Sequence, residues 1–248
     1  MLRDPRGGHN RKRVNEDFFK AWTPEMAYVL GFMFADGSLI DSNTSSRTYY
    51  ISLINNDLNL LTNIKRFLES NHRIYVKPSR LETYKNGKYI SNKGYVLRIG
   101  NKNMYHDLIH LGLTHRKSNT MQLPDIQREY FNFFLRGYFD GDGCISWHLR
   151  KSRHYPSLRV LFTSGSEDFL DSLNHKLNEY FDLPLACINH RPDGAYNLVY
   201  QGARAITLLT FMYRDLRRVP FLEYKHARYV KFQSDLIGPR VKKTLAIA

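Results

Sequence analysis

Two segments of this 248-residue chain repeat one another: Val29-Leu30-Gly31-Phe32-Met33-Phe34-Ala35-Asp36-Gly37 and Leu135-Arg136-Gly137-Tyr138-Phe139-Asp140-Gly141-Asp142-Gly143. In each, an apolar run carries a Gly five residues before an Asp, a small residue directly before that Asp, and a Gly directly after it. Each copy can head its own half of the chain, and a repeat of that length is a duplicated domain, not a solenoid unit. The duplication predicts two halves related by a pseudo-two-fold axis, with one carboxylate from each half brought to that axis.

The first copy is a helix with legible ends. Thr23 serves as N-cap, Pro24 takes the first helical position, Glu25 puts an acid in the first turn, and Gly37 closes the C-terminus. Ala27, Gly31 and Ala35 recur at i, i+4 and i+8, so one helix face carries no bulk. Gly137 and Gly141 hold the corresponding places in the second copy. Two such faces can pack closely, leaving Asp36 and Asp142 at the C-terminal ends, where the helix dipole is already negative and two carboxylates repel. A bound divalent cation resolves both conflicts.

These segments resemble the signature of the LAGLIDADG homing endonucleases, with Asp36 and Asp142 on the penultimate acid of the motif. Phe34 departs from the pattern, where the family often has Asp, but this is not the catalytic acid. The resemblance covers nearly all of residues 20–235 and implies that Asp36 and Asp142 are catalytic and hold metal, together with Ala35 and Gly141, which can offer only backbone oxygens. The implied cation is Mg²⁺, with Mn²⁺ or Ca²⁺ able to substitute in binding. The stretch Leu113-Thr114-His115-Arg116-Lys117-Ser118 looks like the family's end-of-domain segment, and Pro220-Phe221-Leu222-Glu223-Tyr224-Lys225 holds the matching place in the second half. Lys117 and Lys225 are carried over on that basis as active-site lysines.

Hydrophobic patterning gives the element order. After Gly37 come extended stretches at Ser38–Asp41 and Arg47–Ile54, a helical pattern through Leu58, Leu61, Ile64, Phe67 and Leu68, strands at Ile74–Lys77 and Tyr95–Ile99, and a helix at Met104–Leu111. After Gly143 come strands at Cys144–His148 and Leu158–Phe162, a helix through Phe169, Leu170, Leu173, Leu177 and Phe181, strands at Ala186–His190 and Asn197–Tyr200, and a helix at Ala203–Tyr213. The class is α+β, a tandem αββαββα, each half with a curved antiparallel sheet covered by helices on one face and open on the other. The divisions are a basic arm at 1–19, a first half at 20–113, a linker at 114–124, a second half at 125–237 and a tail at 238–248.

Lys and Arg number 37 against 23 Asp and Glu, a formal charge of +14 that points to a polyanionic partner. Double-stranded DNA is the expected one, met by the open sheet faces, since a β-ribbon fits the major groove. Arg47, Lys77, Arg80, Lys85, Lys88 and Arg98 in the first half and Arg150, Lys151, Arg153, Arg159 and Arg191 in the second fall on strands or hairpin loops, interleaved with aromatics such as Trp147 and Tyr196. The longest near-apolar run, Ala27 to Ala35, is too short to span a membrane, and no secretory signal is seen, so the expected location is intracellular. Cys144 and Cys187 make neither a disulfide framework nor a zinc quartet, and Cys144 is expected to be a small buried residue at a strand start. His106 and His110 lie at i, i+4 without a third ligand and read as surface or DNA-proximal side chains.

The family's implied activity is hydrolysis of one phosphodiester per strand of a long, asymmetric target, leaving short 3′ overhangs. With both halves in one chain, the enzyme is expected to act as a monomer. Two readings compete: a group I intron RNA maturase, with the host intron RNA as partner, and a non-catalytic DNA-binding regulator of the same descent, which would tend to lose the acids kept here. An intein-embedded nuclease is disfavoured, because Met1 stands in place of a Cys or Ser nucleophile and the final residues lack a His-Asn pair.

Overall fold

The structure, a computed structural model, describes residues 12–41, 48–84, 87–114, 120–148 and 157–236. The Thr23 hydroxyl accepts the Met26 amide at 3.0 Å and starts helix α1 (Pro24–Asp36). Residues Met26 to Phe34 of α1 are buried all round, as an apolar helix must be when it lies at the centre of a domain. Its partner is α4 (Arg128–Asp142), the second copy of the repeat. Because α1 packs on α4, contacts divide the chain into one unit of Met1–Ala21 and Gly37–Leu108, and another of Trp22–Asp36 and Ile109–Ala248.

The first unit holds a four-stranded antiparallel sheet in the order β1-β2-β6-β3, with β1 at Gly37–Ile40, β2 at Tyr50–Asn55, β3 at Ile74–Lys77 and β6 at Gly94–Gly100. Leu39, Ile51, Leu53, Leu97 and Ile99 alternate onto the buried face, against which α2 (Leu58–Phe67) packs with Leu60, Leu61 and Ile64. Asp57 caps α2 by accepting the Leu60 amide at 3.0 Å, and α3 (Lys102–His110) closes the unit. A hairpin of β4 (Leu81–Tyr84) and β5 (Gly87–Ile90) is inserted between β3 and β6 and departs from the expected order. Its signal was the Asn86-Gly87 dipeptide, a hairpin-turn pair between residues of strand propensity.

The second unit repeats the plan. Strands β7 (Gly143–His148), β8 (Ser157–Ser164), β9 (Ile188–His190) and β10 (Tyr196–Gln201) form an antiparallel sheet in the order β7-β8-β10-β9. Ile145, Val160, Phe162, Leu198 and Tyr200 face inward beneath α5 (Glu167–Phe181) and α6 (Ala203–Met212). A further helix, α7 (Glu223–Lys231), is tied to β7 by the Arg228 guanidinium, which donates to the Ile145 carbonyl at 3.1 Å. Cys144 is exposed, not buried as expected: it follows Gly143 on β7 and takes the outward face of the alternation, while Ile145 takes the inward one. Among the described residues no helix is long and apolar enough to cross a membrane.

The small-residue stripe does what its spacing implied. A Cβ placed on Gly31 would meet the Phe134 carbonyl oxygen at 2.0 Å, and one on Gly137 would meet the Tyr28 carbonyl oxygen at 2.0 Å. When Asp36 is superposed on Asp142 in sequence, Gly31 falls on Gly137 and Tyr28 on Phe134, so the two contacts are one contact made twice. Backbone blocks both positions, and no rotamer change can relieve it. Gly137→Ala is therefore expected to force the helices apart and cost about 3 kcal/mol, lowering Tm by about 6–12 °C for a chain of this size. Differential scanning calorimetry measures it, and an unchanged Tm would refute so close an approach.

Candidate active site

Asp36 ends α1 and Asp142 ends α4, so the crossing that Gly31 and Gly137 permit carries both carboxylates to one place within the second unit. Gly141 completes the approach: a Cβ there would stand 2.3 Å from the Ala35 Cβ and 3.4 Å from the Asp36 Cγ. Both acids are half-exposed. Each lies where the partial negative charge of a helix end is greatest.

Lys225, in the first turn of α7, answers that charge. It is 3% exposed, and its Nζ donates to the carbonyls of Phe139 at 2.6 Å and Asp140 at 2.8 Å, with Gly141 O at 3.5 Å. These are carbonyls of the last turn of α4, and that of Phe139 also accepts the Gly143 amide. Burial pushes the lysine's pKa down, while the carboxylates of Asp140, Asp36 and Asp142 hold the proton on. The ammonium thus braces the backbone that presents Gly141 and Asp142, and its burial rules out a surface-solvation role.

Beneath the pair the two copies differ. Phe34 in the first copy lies edge-on to Phe134 at 5.6 Å between ring centroids. In the equivalent place of the second copy, Asp140 accepts a hydrogen bond from the Tyr28 hydroxyl at 2.7 Å. Asp140 is 1% exposed and its second oxygen has no partner among the described residues; the same is true of the Arg136 Nε and Nη1 and the Tyr213 hydroxyl. Arg136 is fully buried, donates Nη2 to the Asp215 carbonyl at 2.8 Å, and loses basicity to burial. Sequence reasoning assigned nothing to this cluster, although a charged Arg136 inside an apolar helical run, four residues before Asp140, was its signal.

Burial raises the Asp140 pKa from 3.8 to about 6, against the opposing pull of the Tyr28 hydroxyl, Lys225 and Arg136. The folded state therefore holds this proton more tightly than the unfolded chain, so stability is greatest below the unfolded pKa and falls as pH rises from about 4 to about 6. The linked loss is about 3 kcal/mol by pH 7. Urea unfolding in EDTA is expected to show wild type losing that much relative to Asp140→Asn across this window. Parallel pH profiles would contradict the shift.

The structure brings together Asp36, Asp142, Ala35, Gly141 and Lys225. Lys117 lies outside the described residues, as do Arg47, Lys85, Arg150, Lys151 and Arg153. Arg98 stands outward on β6 with its guanidinium over the Tyr50 ring at 4.2 Å, and Lys77, at the end of β3, is half-exposed. Lys88 lies on β5 of the inserted hairpin, Arg80 directly precedes β4, and both are exposed. Arg159 projects from the outward face of β8, and Trp147 on β7 lies 6.4 Å from the Phe232 ring. Tyr196 packs on His190, and Arg191 is folded onto Asp193 by bonds of 3.1 and 2.7 Å within its own turn. His106 lies against Tyr49 and Tyr105 at 5.4 and 5.5 Å, an aromatic cluster of the first unit.

The residues fit a hard cation. Gly141, lacking a side chain, leaves its backbone open beside the Asp36 carboxyl, and the donors are all oxygen. Among the described residues no group of three or more His, Cys, Asp or Glu is placed to hold a metal, so the protein's share would be two carboxylates and backbone carbonyls.

Comparison with known proteins places the fold. Residues 130–206 match the sequence model of the LAGLIDADG-like domain. The fold is shared with the meganuclease I-SmaMI bound to uncleaveable DNA with a TTGT central four (TM-score 0.56, 16% identity, 90% of this chain and 92% of that one). It is also shared with I-AabMI bound to uncleaved DNA (0.54, 14%, 90% and 92%) and with I-WcaI bound to its DNA recognition sequence (0.53, 16%, 91% and 95%). Identities this low speak to the fold. A stretch of 135 residues, 51% of this chain, is 27% identical to the reverse gyrase of Methanocaldococcus jannaschii, of which it spans 8%.

Proposed function

We propose that this chain is a LAGLIDADG endonuclease, site-specific, that cuts both strands of a long, asymmetric DNA duplex and acts as a monomer. The observation that carries the reading is the convergence of Asp36 and Asp142 through three close glycine contacts, at Gly31, Gly137 and Gly141. Helix ends do not collect carboxylates for stability. Two that are held there by backbone packing, with a buried lysine bracing the adjoining turn, serve chemistry.

Each carboxylate would serve one strand. Water attacks phosphorus in line, the P–O3′ bond breaks, and the products are a 5′-phosphate and a 3′-hydroxyl. Asp36 and Asp142, with the carbonyls of Ala35 and Gly141, would hold divalent cations, Mg²⁺ by the hardness of the donors. When bound, such an ion lowers the pKa of its water and offsets charge on the phosphoryl oxygens. The protein's own work is positional. The α1–α4 contact sets the separation of the acids, Lys225 fixes the last turn of α4, and the outward sheet faces with their Arg, Lys and Tyr side chains hold the duplex in register.

Incubation with Mg²⁺ and a library of randomised duplexes, followed by sequencing of cut ends, tests this. The expected result is one long non-palindromic site cut on both strands with short 3′ overhangs, lost in EDTA. Selective binding without cleavage would favour a regulator, and protection of structured RNA without DNA cleavage would favour a maturase.

A further inference from the structure

The two open sheet faces carry inverted chemistry. In both units the glycine after the motif acid pairs in the same way: Gly37 with Leu53 and then Leu97, Gly143 with Phe162 and then Leu198. That register makes the outward side chains of the two sheets comparable row by row. In the first unit the row one residue past the glycine is Ser38, Ser52 and Arg98, all polar. In the second unit the same row is Cys144, Leu161 and Val199, which has no strong hydrogen-bonding group. The next row reverses the pattern: Ile54, Val96 and Tyr75 stand where the second unit has Thr163, Asn197 and Asn189.

Apart from Ser52, these side chains are presented, not spent on the core. Ile54 is 40% exposed and Tyr75 50%, Arg98, Cys144 and Asn189 are exposed, and Leu161, Val199, Thr163 and Asn197 are half-buried on the face opposite the helices. Ser52, 5% exposed, lies between Ser38 and Arg98. The Arg98 guanidinium is stacked on Tyr50 at 4.2 Å, which pre-orients its fork. The Thr163 hydroxyl donates to the Asn197 carbonyl oxygen at 2.9 Å, so the Asn197 amide nitrogen is aimed as a donor.

We infer that these rows determine the sequence of the target and make its half-sites opposite in kind. This rests on the DNA-cutting reading above. Where the first sheet's Arg98 row meets a guanine edge, the second sheet's Val199 row meets thymine methyls at the matching position. Two base pairs away, since adjacent rows are ~6.8 Å apart along a strand, the apolar row belongs to the first sheet and the Asn197 row takes purine acceptors. A palindrome then satisfies at most one half of the protein.

Selection of bound duplexes from the randomised library, without Mg²⁺, tests this separately from cleavage. Wild type is expected to select G at one position of one half-site and T at its mate. Arg98→Val is expected to abolish discrimination at that one position by about 10–100-fold and leave the other half-site unchanged. Val199→Arg is expected to bring a G preference into the other half-site. Two half-sites with the same preferences, or an Arg98→Val variant weakened equally on every sequence, would overturn the inference while leaving a nuclease intact. Inverted half-sites bound but never cut would uphold the inference and overturn the nuclease. Failure to select any sequence overturns both. Should Val199→Arg fail to fold, the Arg98→Val profile decides alone.

Discussion

Replacing Asp36 or Asp142 with Asn is expected to abolish double-strand cleavage while leaving DNA affinity within a few-fold of wild type. The change keeps the shape of the side chain and removes one anionic oxygen donor from the place where α1 and α4 meet. Loss of a single electrostatic stabiliser costs ~10²–10³-fold in rate. Loss of a ligand that holds the cation should exceed that, so single-turnover cleavage is expected to fall by more than ~10³-fold. The variants carry an internal control. Each removes a negative charge from a helix C-terminus, and a neutral residue there should be more stable by about 0.3–1 kcal/mol. A variant that melts no lower than wild type, binds its site, and does not cut would locate the defect in chemistry. Wild-type cleavage in either variant would remove that carboxylate from the site.

The helix pair was legible because its determinants are local. Thr23, the spacing of Ala27, Gly31 and Ala35, and the copy at Gly137 and Gly141 specify a close crossing, because each half of the contact is written within one helix. The sheets were legible from alternation, and the register that compares Arg98 with Val199 was not, because pairing joins segments separated by helices and only their packing fixes it. The hairpin after β3 went unread because its strands, Leu81–Tyr84 and Gly87–Ile90, lie outside the αββαββα repeat, and the second of them is exposed along its length. The buried cluster of Tyr28, Arg136, Asp140 and Tyr213 was missed for another reason: symmetry thinking looks for what the two copies share. Phe34 against Asp140 was a departure from a consensus in the sequence. In the fold it divides an aromatic contact from a buried hydrogen bond at equivalent places.

Lys225→Met is expected to lower cleavage at saturating DNA by ~10²–10³-fold with little change in affinity. At 3% exposure the ammonium reaches no duplex phosphate by lying on the surface, so a binding defect is not its mark. Its hydrogens go to the carbonyls of Phe139 and Asp140, the turn that carries Gly141 and Asp142 into position. Methionine fills similar volume but withdraws the ammonium from both carbonyls, leaving that of Phe139 to the Gly143 amide alone, a loss of ~1–3 kcal/mol in stability, offset in part because a charge is no longer buried. A purely structural role would stop at that loss, visible in Tm alone. A positioning role adds a second effect: the frayed turn holds its oxygens less well, so the Mg²⁺ concentration needed for half-maximal single-turnover rate should rise. Titrating the rate with Mg²⁺ below the variant's melting temperature separates the two. An unchanged Mg²⁺ requirement with a lower Tm would make Lys225 a helix cap, and unchanged cleavage at saturating DNA would remove it from the active site.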